Sequence, residues 1–127
     1  MDPLDVDWYQ VRMLDNRIQQ GQALELTDEV RDLLRRTART VAISDAEAVA
    51  ALSDVKSATT LLKSIRHRVD DGAHRIMRAL DTMYRLRKKG DIQGARQQMQ
   101  DVLAVEVVPH FREIAEGQLA DMAGVNS

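Results

Sequence analysis

Residues 55–86 read VKSATTLLKSIRHRVDDGAHRIMRALDTMYRL and contain the clearest structural pattern of the chain. Its apolar and small residues recur at alternating spacings of three and four, as the a and d positions of a heptad do. Residues spaced in this way form a seam along one side of an α-helix. The seam residues are Val55, Ala58, Leu62, Ile65, Val69, Gly72, Ile76, Ala79, Met83 and Leu86. We therefore predict one long helix with other helices packed on its seam, and a weak point at Gly72.

Side chains that can cap helices predict where the flanking helices begin. An Asp, Ser or Thr just before a helix accepts hydrogen bonds from the free N–H groups of the first turn. The predicted caps are Asp7 with Gln10, Thr27, Ser44 with Glu47, and Asp91. The start of the long helix stays open: either Asp54 or Ser57 caps a fresh start, or the helix after Ser44 runs directly into it.

Glycine and proline predict where helices end. Gly21 and Gly90 each follow a segment with helical periodicity, and glycine readily adopts the left-handed conformation common after a helix. Pro109 lacks an amide hydrogen and disfavours helix at Val108, so we expect a break or a kink there.

These signals predict an all-α fold, a helical bundle of about five or six helices organised around one long central helix. A chain of 127 residues has the length of an ordinary single domain. We predict one domain over residues 1–127, with N-terminal helices in 1–53, the long helix in 54–89, a C-terminal helical hairpin in 91–123 and a tail in 124–127.

The composition excludes several classes of function. The chain has 18 basic and 20 acidic residues, so the whole molecule offers no strong attraction to nucleic acid or to an anionic membrane. It has no cysteine, which excludes disulfides, thiolate metal sites and a cysteine nucleophile. The longest uncharged run is seven residues, from Ile18 to Leu24, and the acidic start does not resemble a signal peptide. We expect a cytoplasmic protein that does not bind membranes.

Two groups of polar residues contain histidine, the usual residue for metal binding or proton transfer. His67, Asp71 and His74 share an outward face of the long helix, but about 10 Å of helix rise separates the two histidines. One metal ion cannot bind all three, although two of them could bind an ion that another chain completes. We expect solvated surface histidines instead.

The second group is Glu106, His110 and Glu113, which would cluster if the helix continued through Pro109. Catalysis would also need a nucleophile or an electrophile stabiliser, and the sequence has no identifiable candidate. It also lacks a phosphate-binding glycine loop and a zinc-protease helix motif. We therefore expect a structural junction at this position, and a protein that is not an enzyme and holds neither a cofactor nor a metal.

A basic stripe runs along residues 63–89 and could contact phosphates. Its members are Lys63, Arg66, Arg68, Arg75, Arg78, Arg85, Arg87, Lys88 and Lys89. The segment before residue 33 is acidic, with Asp2, Asp5, Asp7, Asp15, Glu25, Asp28, Glu29 and Asp32. We expect the two sets of charges to satisfy each other, within the fold or between protomers, so nucleic-acid binding is the alternative hypothesis.

The leading hypothesis is a non-enzymatic helical domain that regulates or connects by binding another protein. A long seam without catalytic residues supports it, and the long helix has further apolar positions beside the seam. Self-association as a homodimer through this helix is an open alternative. The predicted partner-binding residues are Leu80, Met83, Arg85, Arg87, Lys88 and Lys89.

Three segments resemble a known family. They are residues 26–41 (LTDEVRDLLRRTARTV), 83–96 (MYRLRKKGDIQGAR) and 102–116 (VLAVEVVPHFREIAE). Together they resemble the DUSAM domain, a paralogous family of myxobacterial proteins, over nearly the whole chain. That family has no assigned activity, cofactor or catalytic residue, so the resemblance assigns no role to any residue. It implies a bacterial, cytoplasmic origin and a small stand-alone domain.

Overall fold

A computed structural model describes residues 2–124 of the chain and contains six α-helices in that range. The helices are α1 (Pro3–Gln19), α2 (Asp28–Thr40), α3 (Asp45–Ala51), α4 (Val55–Lys88), α5 (Ile92–Val105) and α6 (Pro109–Ala123). The described residues contain no β-strand. The predicted all-α fold with a long central helix is therefore confirmed.

The chain's contacts divide it into two compact units, residues 1–69 and 70–127, and α4 runs through both. Each unit is described by itself below. The prediction of one domain stays a prediction. The predicted ranges of the long helix and of the C-terminal hairpin agree with α4, α5 and α6 to within one residue at the outer ends. Of the predicted tail, only Gly124 lies within the described residues.

Most of the predicted helix caps are confirmed. Thr27 accepts a hydrogen bond from the amide of Val30 at 3.2 Å, and Ser44 accepts one from Glu47 at 3.1 Å. Asp91 caps α5 through the amide of Gly94 at 2.9 Å.

The open question at the start of the long helix is also answered. Asp54 accepts a hydrogen bond from the Ser57 amide at 2.8 Å, so α4 begins afresh after α3 instead of continuing it.

The predicted start of α1 is wrong. The helix begins four residues earlier than Asp7, at Pro3, and Asp2 caps it by accepting a hydrogen bond from the amide of Leu4 at 2.9 Å. Proline suits the first helical position because it needs no amide hydrogen there. Asp7 lies inside the helix, where its carboxylate pairs with Arg36 at 2.8 Å.

The seam of α4 is buried along most of its length. In the first unit Ala58, Leu62, Ile65 and Val69 are at most 1% exposed, and in the second unit Ile76 and Met83 are at most 3% exposed. Val55, in the first turn of the helix, is 46% exposed and lies outside the core. Ala79 and Leu86 are half-buried. The heptad pattern therefore identifies core residues of the chain itself.

The first unit packs α1 against α2 and α2 against α3. The indole Nε1 of Trp8 donates a hydrogen bond to the hydroxyl of Thr40 at 2.9 Å, which joins α1 to the end of α2. Ala42 follows α2 with a left-handed φ of 64°, a conformation that is unfavourable for a residue with a Cβ. Arg68 of α4 donates hydrogen bonds to the carbonyls of Val41 and Ala42 at 2.8 and 3.2 Å, and so stabilises this turn.

The second unit contains the helical hairpin of α5 and α6 beside the C-terminal part of α4. Gly90 has a left-handed φ of 84° two residues after the end of α4, as predicted for a glycine that terminates this helix. The helix breaks before Pro109, as the proline predicts, because α5 ends at Val105 and α6 begins at Pro109. No helix within residues 2–124 is long and apolar enough to cross a membrane.

Gly72 lets α4 approach α6 closely within the second unit. A Cβ built on Gly72 would lie 2.7 Å from Cε2 of Phe111 and 2.9 Å from Oε1 of Glu106. Phe111 and Glu106 are themselves buried, so neither side chain has free space to move into. Close packing against Phe111 and Glu106 therefore accounts for a glycine at this position.

Replacing Gly72 by alanine should destabilise the protein despite the better helix propensity of alanine. We expect Gly72→Ala to lower the free energy of unfolding by about 1–3 kcal/mol, the usual cost of overpacking a core. The matched control is Gly117→Ala on α6, because a Cβ there meets no atom within 4 Å. It should raise stability by about 0.5–1 kcal/mol. Urea unfolding followed by circular dichroism tests both; equal effects of the two substitutions would contradict the close contact.

Candidate interaction surface

The C-terminal half of α4 carries an exposed apolar strip beside its buried seam. Met77 is 68% exposed and Tyr84 is 52% exposed, and the half-buried Leu80 lies between them. Their spacings of three and four place these side chains on one side of the helix. We call Met77, Leu80 and Tyr84 the outer strip. Because successive residues turn about 100° around a helix, residues that follow buried seam positions such as Ile76 and Met83 face away from the core.

Four basic residues follow the outer strip at the end of α4, and we call Arg85, Arg87, Lys88 and Lys89 the cationic end. Arg85 forms an exposed ion pair with Asp81 at 3.1 Å. The side chains of Arg87, Lys88 and Lys89 form no ion pair or hydrogen bond with any residue from 2 to 124. Cations in the last turn also interact favourably with the negative end of the helix dipole, so they stabilise α4 itself.

The predicted partner-binding residues divide into two groups. Leu80 and the four residues of the cationic end lie at least partly on the surface. Met83 is 0% exposed, so its inclusion in a partner surface is corrected: it is a core residue of the second unit. The physical reason is its seam position, since the same spacing that puts Ile76 in the core also puts Met83 there.

Most of the basic stripe is engaged within the chain. Lys63 and Arg66 pair with Asp15, Arg75 pairs with Asp71 and Glu106, and Arg85 pairs with Asp81, while Arg68 binds backbone carbonyls. Only Arg78 and three members of the cationic end have no such partner within the described residues. The face that could contact phosphates is therefore much smaller than the sequence suggests.

Asp15 is a buried carboxylate that joins α1 to α4 in the first unit. Lys63 Nζ lies 3.0 Å from its Oδ1, and Arg66 Nη1 lies 2.9 Å from its Oδ2. Gln19 donates a further hydrogen bond at 2.8 Å. Burial acts to raise the pKa of Asp15, but the hydrogen bonds and charges of Lys63 and Arg66 outweigh it and hold the pKa below its ordinary value. The carboxylate therefore stays ionised and structural.

Glu106 has a similar role in the second unit. Its buried carboxylate accepts hydrogen bonds from Arg75 at 2.8 Å and from the amides of Val107 and Val108, both at 3.0 Å. It thus binds α4 and also satisfies the amides of the two residues that precede α6. The predicted cluster with His110 and Glu113 depended on a helix continuing through Pro109, and the helix breaks there.

The structure places the other histidines on the surface. His67, Asp71 and His74 are exposed on α4, and Asp71 pairs with Arg75. Within residues 2–124, no group of three or more His, Asp or Glu side chains is arranged to hold a metal ion.

A cleft of about 520 Å³ lies between α1 and α2 in the first unit. Tyr9 and Met13 on α1 form one side and are 59% and 36% exposed. Val30 and Leu33 line it from α2. We call it the α1–α2 cleft. Its volume lies within the roughly 300–1,000 Å³ of small-molecule pockets.

Reasoning from the sequence anticipated these features only in part. It expected the acidic segment that contains Asp15 to satisfy the basic stripe, and a structural junction at Glu106, but it did not identify the two buried carboxylates or the outer strip. Each of these had a signal. Asp15 follows Trp8 and Val11 at spacings that place all three on the buried face of α1. Glu106 similarly follows Val102 by four residues. Met77 and Tyr84 show helical spacing outside the seam. A charged residue on an apolar face indicates a buried ion pair, but its partner cannot be identified from spacing alone.

Comparison with known proteins identifies one family match. Residues 6–122 match the family described as "Protein of unknown function (DUF2379)". No curated protein and no solved structure matches the chain significantly.

Removing the charge of Asp15 should destabilise the first unit. Asp15→Asn leaves Lys63 and Arg66 without their buried partner and should lower the free energy of unfolding by about 1–3 kcal/mol at neutral pH. The control Asp81→Asn removes an exposed pair and should cost only about 0.2–0.5 kcal/mol. Urea unfolding can be followed by the fluorescence of Trp8, the single tryptophan of the chain.

The effect of Asp15→Asn should also depend on pH. The folded pKa of Asp15 lies below the ordinary value of 3.8, so its ion pairs stabilise the protein above that value. Their contribution is lost as the pH falls through the folded pKa. The stability difference between the native protein and Asp15→Asn should therefore be constant between about pH 5 and 7 and shrink below about pH 4. A difference that does not change with pH would contradict the ionised pair.

Proposed function

This chain belongs to the DUF2379 family, whose function is unknown. We propose that it is a non-enzymatic helical domain that binds another protein. The binding surface is the outer strip together with the cationic end of α4. The observation that carries the proposal is the joint exposure of Met77 and Tyr84 beside three cations that have no partner in the described residues. The resemblance to the DUSAM domain adds a bacterial, cytoplasmic setting to this proposal.

The chemistry of the strip supports protein binding. Aromatic residues, methionine and arginine are enriched at protein interfaces, whereas lysine is more common at their solvated rims. Covering apolar surface is favourable by roughly 25 cal/mol per Å², so a partner that buries Met77 and Tyr84 gains binding energy directly. The cations at the end of α4 would then select a partner whose apolar groove has an acidic rim.

Two buried carboxylates support a non-enzymatic role. Asp15 and Glu106 are the buried acids of the described residues. Asp15 accepts hydrogen bonds from Lys63, Arg66 and Gln19, and Glu106 accepts them from Arg75 and two backbone amides. In the described part of the chain, every buried polar side-chain atom has a hydrogen-bond partner. A general acid or base must be within reach of substrate, and these carboxylates are instead engaged inside the fold.

Nucleic-acid binding by the basic stripe is the weaker alternative. Its cations would have to release Asp15, Asp71 or Glu106 before they could neutralise phosphates. Only Arg78, Arg87, Lys88 and Lys89 are available without breaking a contact, and they offer few phosphate contacts.

Site-specific photo-cross-linking tests the proposed surface. We would replace Tyr84 by p-benzoylphenylalanine in the full chain, irradiate cells that produce it, and analyse the adducts by mass spectrometry. We expect a protein adduct at position 84. The matched control is the same replacement at Gln100, an exposed position on α5 outside the strip. Adding Met77→Glu should reduce the adduct at position 84 severalfold, because a charge then enters the apolar contact.

The outcome separates the two candidate functions. No adduct at position 84, or the same adducts at positions 84 and 100, would contradict the proposed surface. An adduct that nuclease treatment removes would support nucleic-acid binding instead.

A further inference from the structure

We propose that the partner is a second copy of this chain, and that the outer strip of one copy binds in the α1–α2 cleft of the other. This inference rests on the proposed function, because it uses the same strip and names its partner. The outer strip and the α1–α2 cleft support this inference. Both have exposed apolar side chains, and the unpaired charges beside the strip are opposite in sign to most of those beside the cleft.

The α1–α2 cleft offers apolar contacts that its own unit does not cover. Tyr9 and Met13 are exposed on one side, and the half-buried Leu14 and Val30 lie deeper. Aromatic and methionine side chains are favoured at protein interfaces. The outer strip presents the same types of side chain, Met77, Leu80 and Tyr84, along a single helix face. A helix with apolar residues at such spacings is the usual occupant of a groove between two other helices.

The free charges of the cleft are mainly acidic. Glu29 and Asp32 line it from α2, are exposed, and form no ion pair within the described residues. Arg36 also lines the cleft, but Asp7 pairs with it at 2.8 Å. Arg17 is the remaining cation of the lining. The acidic Asp28 lies just outside, in the first turn of α2.

The free charges beside the outer strip are basic. Arg87, Lys88 and Lys89 follow Tyr84 directly and have no partner within residues 2–124. An apolar strip next to three cations therefore complements an apolar cleft next to two carboxylates. These charges also stabilise their own helices through the helix dipole, because acids lie in the first turn of α2 and bases in the last turn of α4. Association and stability must therefore be measured separately.

The proposed contact joins two different surfaces, which determines the possible assemblies. Each copy provides one strip and one cleft. Two copies that exchange strips form a closed dimer with two equal contacts, whereas a geometry that does not close forms a longer chain. A symmetric contact in which two α4 strips lie parallel would instead bring the cations of both copies together, and like charges would oppose it.

Charge reversal in the purified full-length protein tests the pairing. The cleft variant is Glu29→Lys with Asp32→Lys, and the strip variant is Lys88→Glu with Lys89→Glu. We expect the native protein to associate, as measured by light scattering over a range of concentrations, and high salt to weaken the association. Each variant alone should associate at least about tenfold more weakly, because like charges then meet across the contact.

Recombining the reversed surfaces makes the test specific. A mixture of the cleft variant and the strip variant should associate more strongly than either alone, because the intact strip of one meets the intact cleft of the other. All four reversals in one chain should restore association to within about threefold of the native protein. The matched control is Asp101→Lys with Glu113→Lys, two exposed acids outside both surfaces. It makes the same charge change as the cleft variant and should leave association unchanged.

Thermal unfolding of every variant checks that the fold is intact. A monomeric native protein at all concentrations, or variants that neither weaken alone nor recover in combination, would overturn the inference. The proposed function would survive that result if position 84 still forms an adduct with a different protein in cells. If position 84 also forms no specific adduct, the proposed function fails as well.

Discussion

The burial of the apolar seam on α4 is the constraint on which the rest of the structure depends. One helix of 34 residues carries core positions for both compact units, including Leu62 and Ile65 in the first and Ile76 and Met83 in the second. A helix of this length gains most of its stability from such packing and little from its own propensity. The shorter helices are placed where they can cover this seam, and their caps then fix where each one starts.

A buried carboxylate anchors α4 in each unit. Asp15 reaches α4 from α1 through Lys63 and Arg66, and Glu106 reaches it from the α5–α6 junction through Arg75. A buried ion pair contributes little net stability, because desolvation offsets most of the attraction. Loss of one partner is costly, however, so these pairs favour one register of the helices over others. They also engage Lys63, Arg66 and Arg75 of the basic stripe, whereas Arg87, Lys88 and Lys89 of the cationic end have no partner within the described residues.

The same helix presents two apolar faces with different roles. The seam is covered by the chain itself, whereas Met77 and Tyr84, which directly follow the seam residues Ile76 and Met83, are exposed to solvent. Single exposed apolar residues are common in proteins and require no explanation. Two large ones on one helix face, followed by the cationic end, form the surface on which the proposed protein binding rests. In the proposed self-association, the α1–α2 cleft, with the exposed Tyr9 and the carboxylates of Glu29 and Asp32, is the complementary surface.

The helices, most of their caps and the buried seam follow from local sequence patterns. Thr27, Ser44 and Asp91 each accept a hydrogen bond from an amide three residues later, and Pro109 restricts the residue before it, so these effects can be predicted locally. The start of α1 was missed because Asp2 and Asp7 satisfy the same local rule.

Only the tertiary structure decided which charges pair and which apolar residues stay exposed. Asp15 lies 48 residues from Lys63 in the chain, and Arg75 lies 31 residues from Glu106. No local spacing encodes such distances, because they arise when helices pack and bring distant side chains together. Met83 is a different case: its seam spacing already marked it as a core position, and the structure buries it while leaving the neighbouring Tyr84 on the surface.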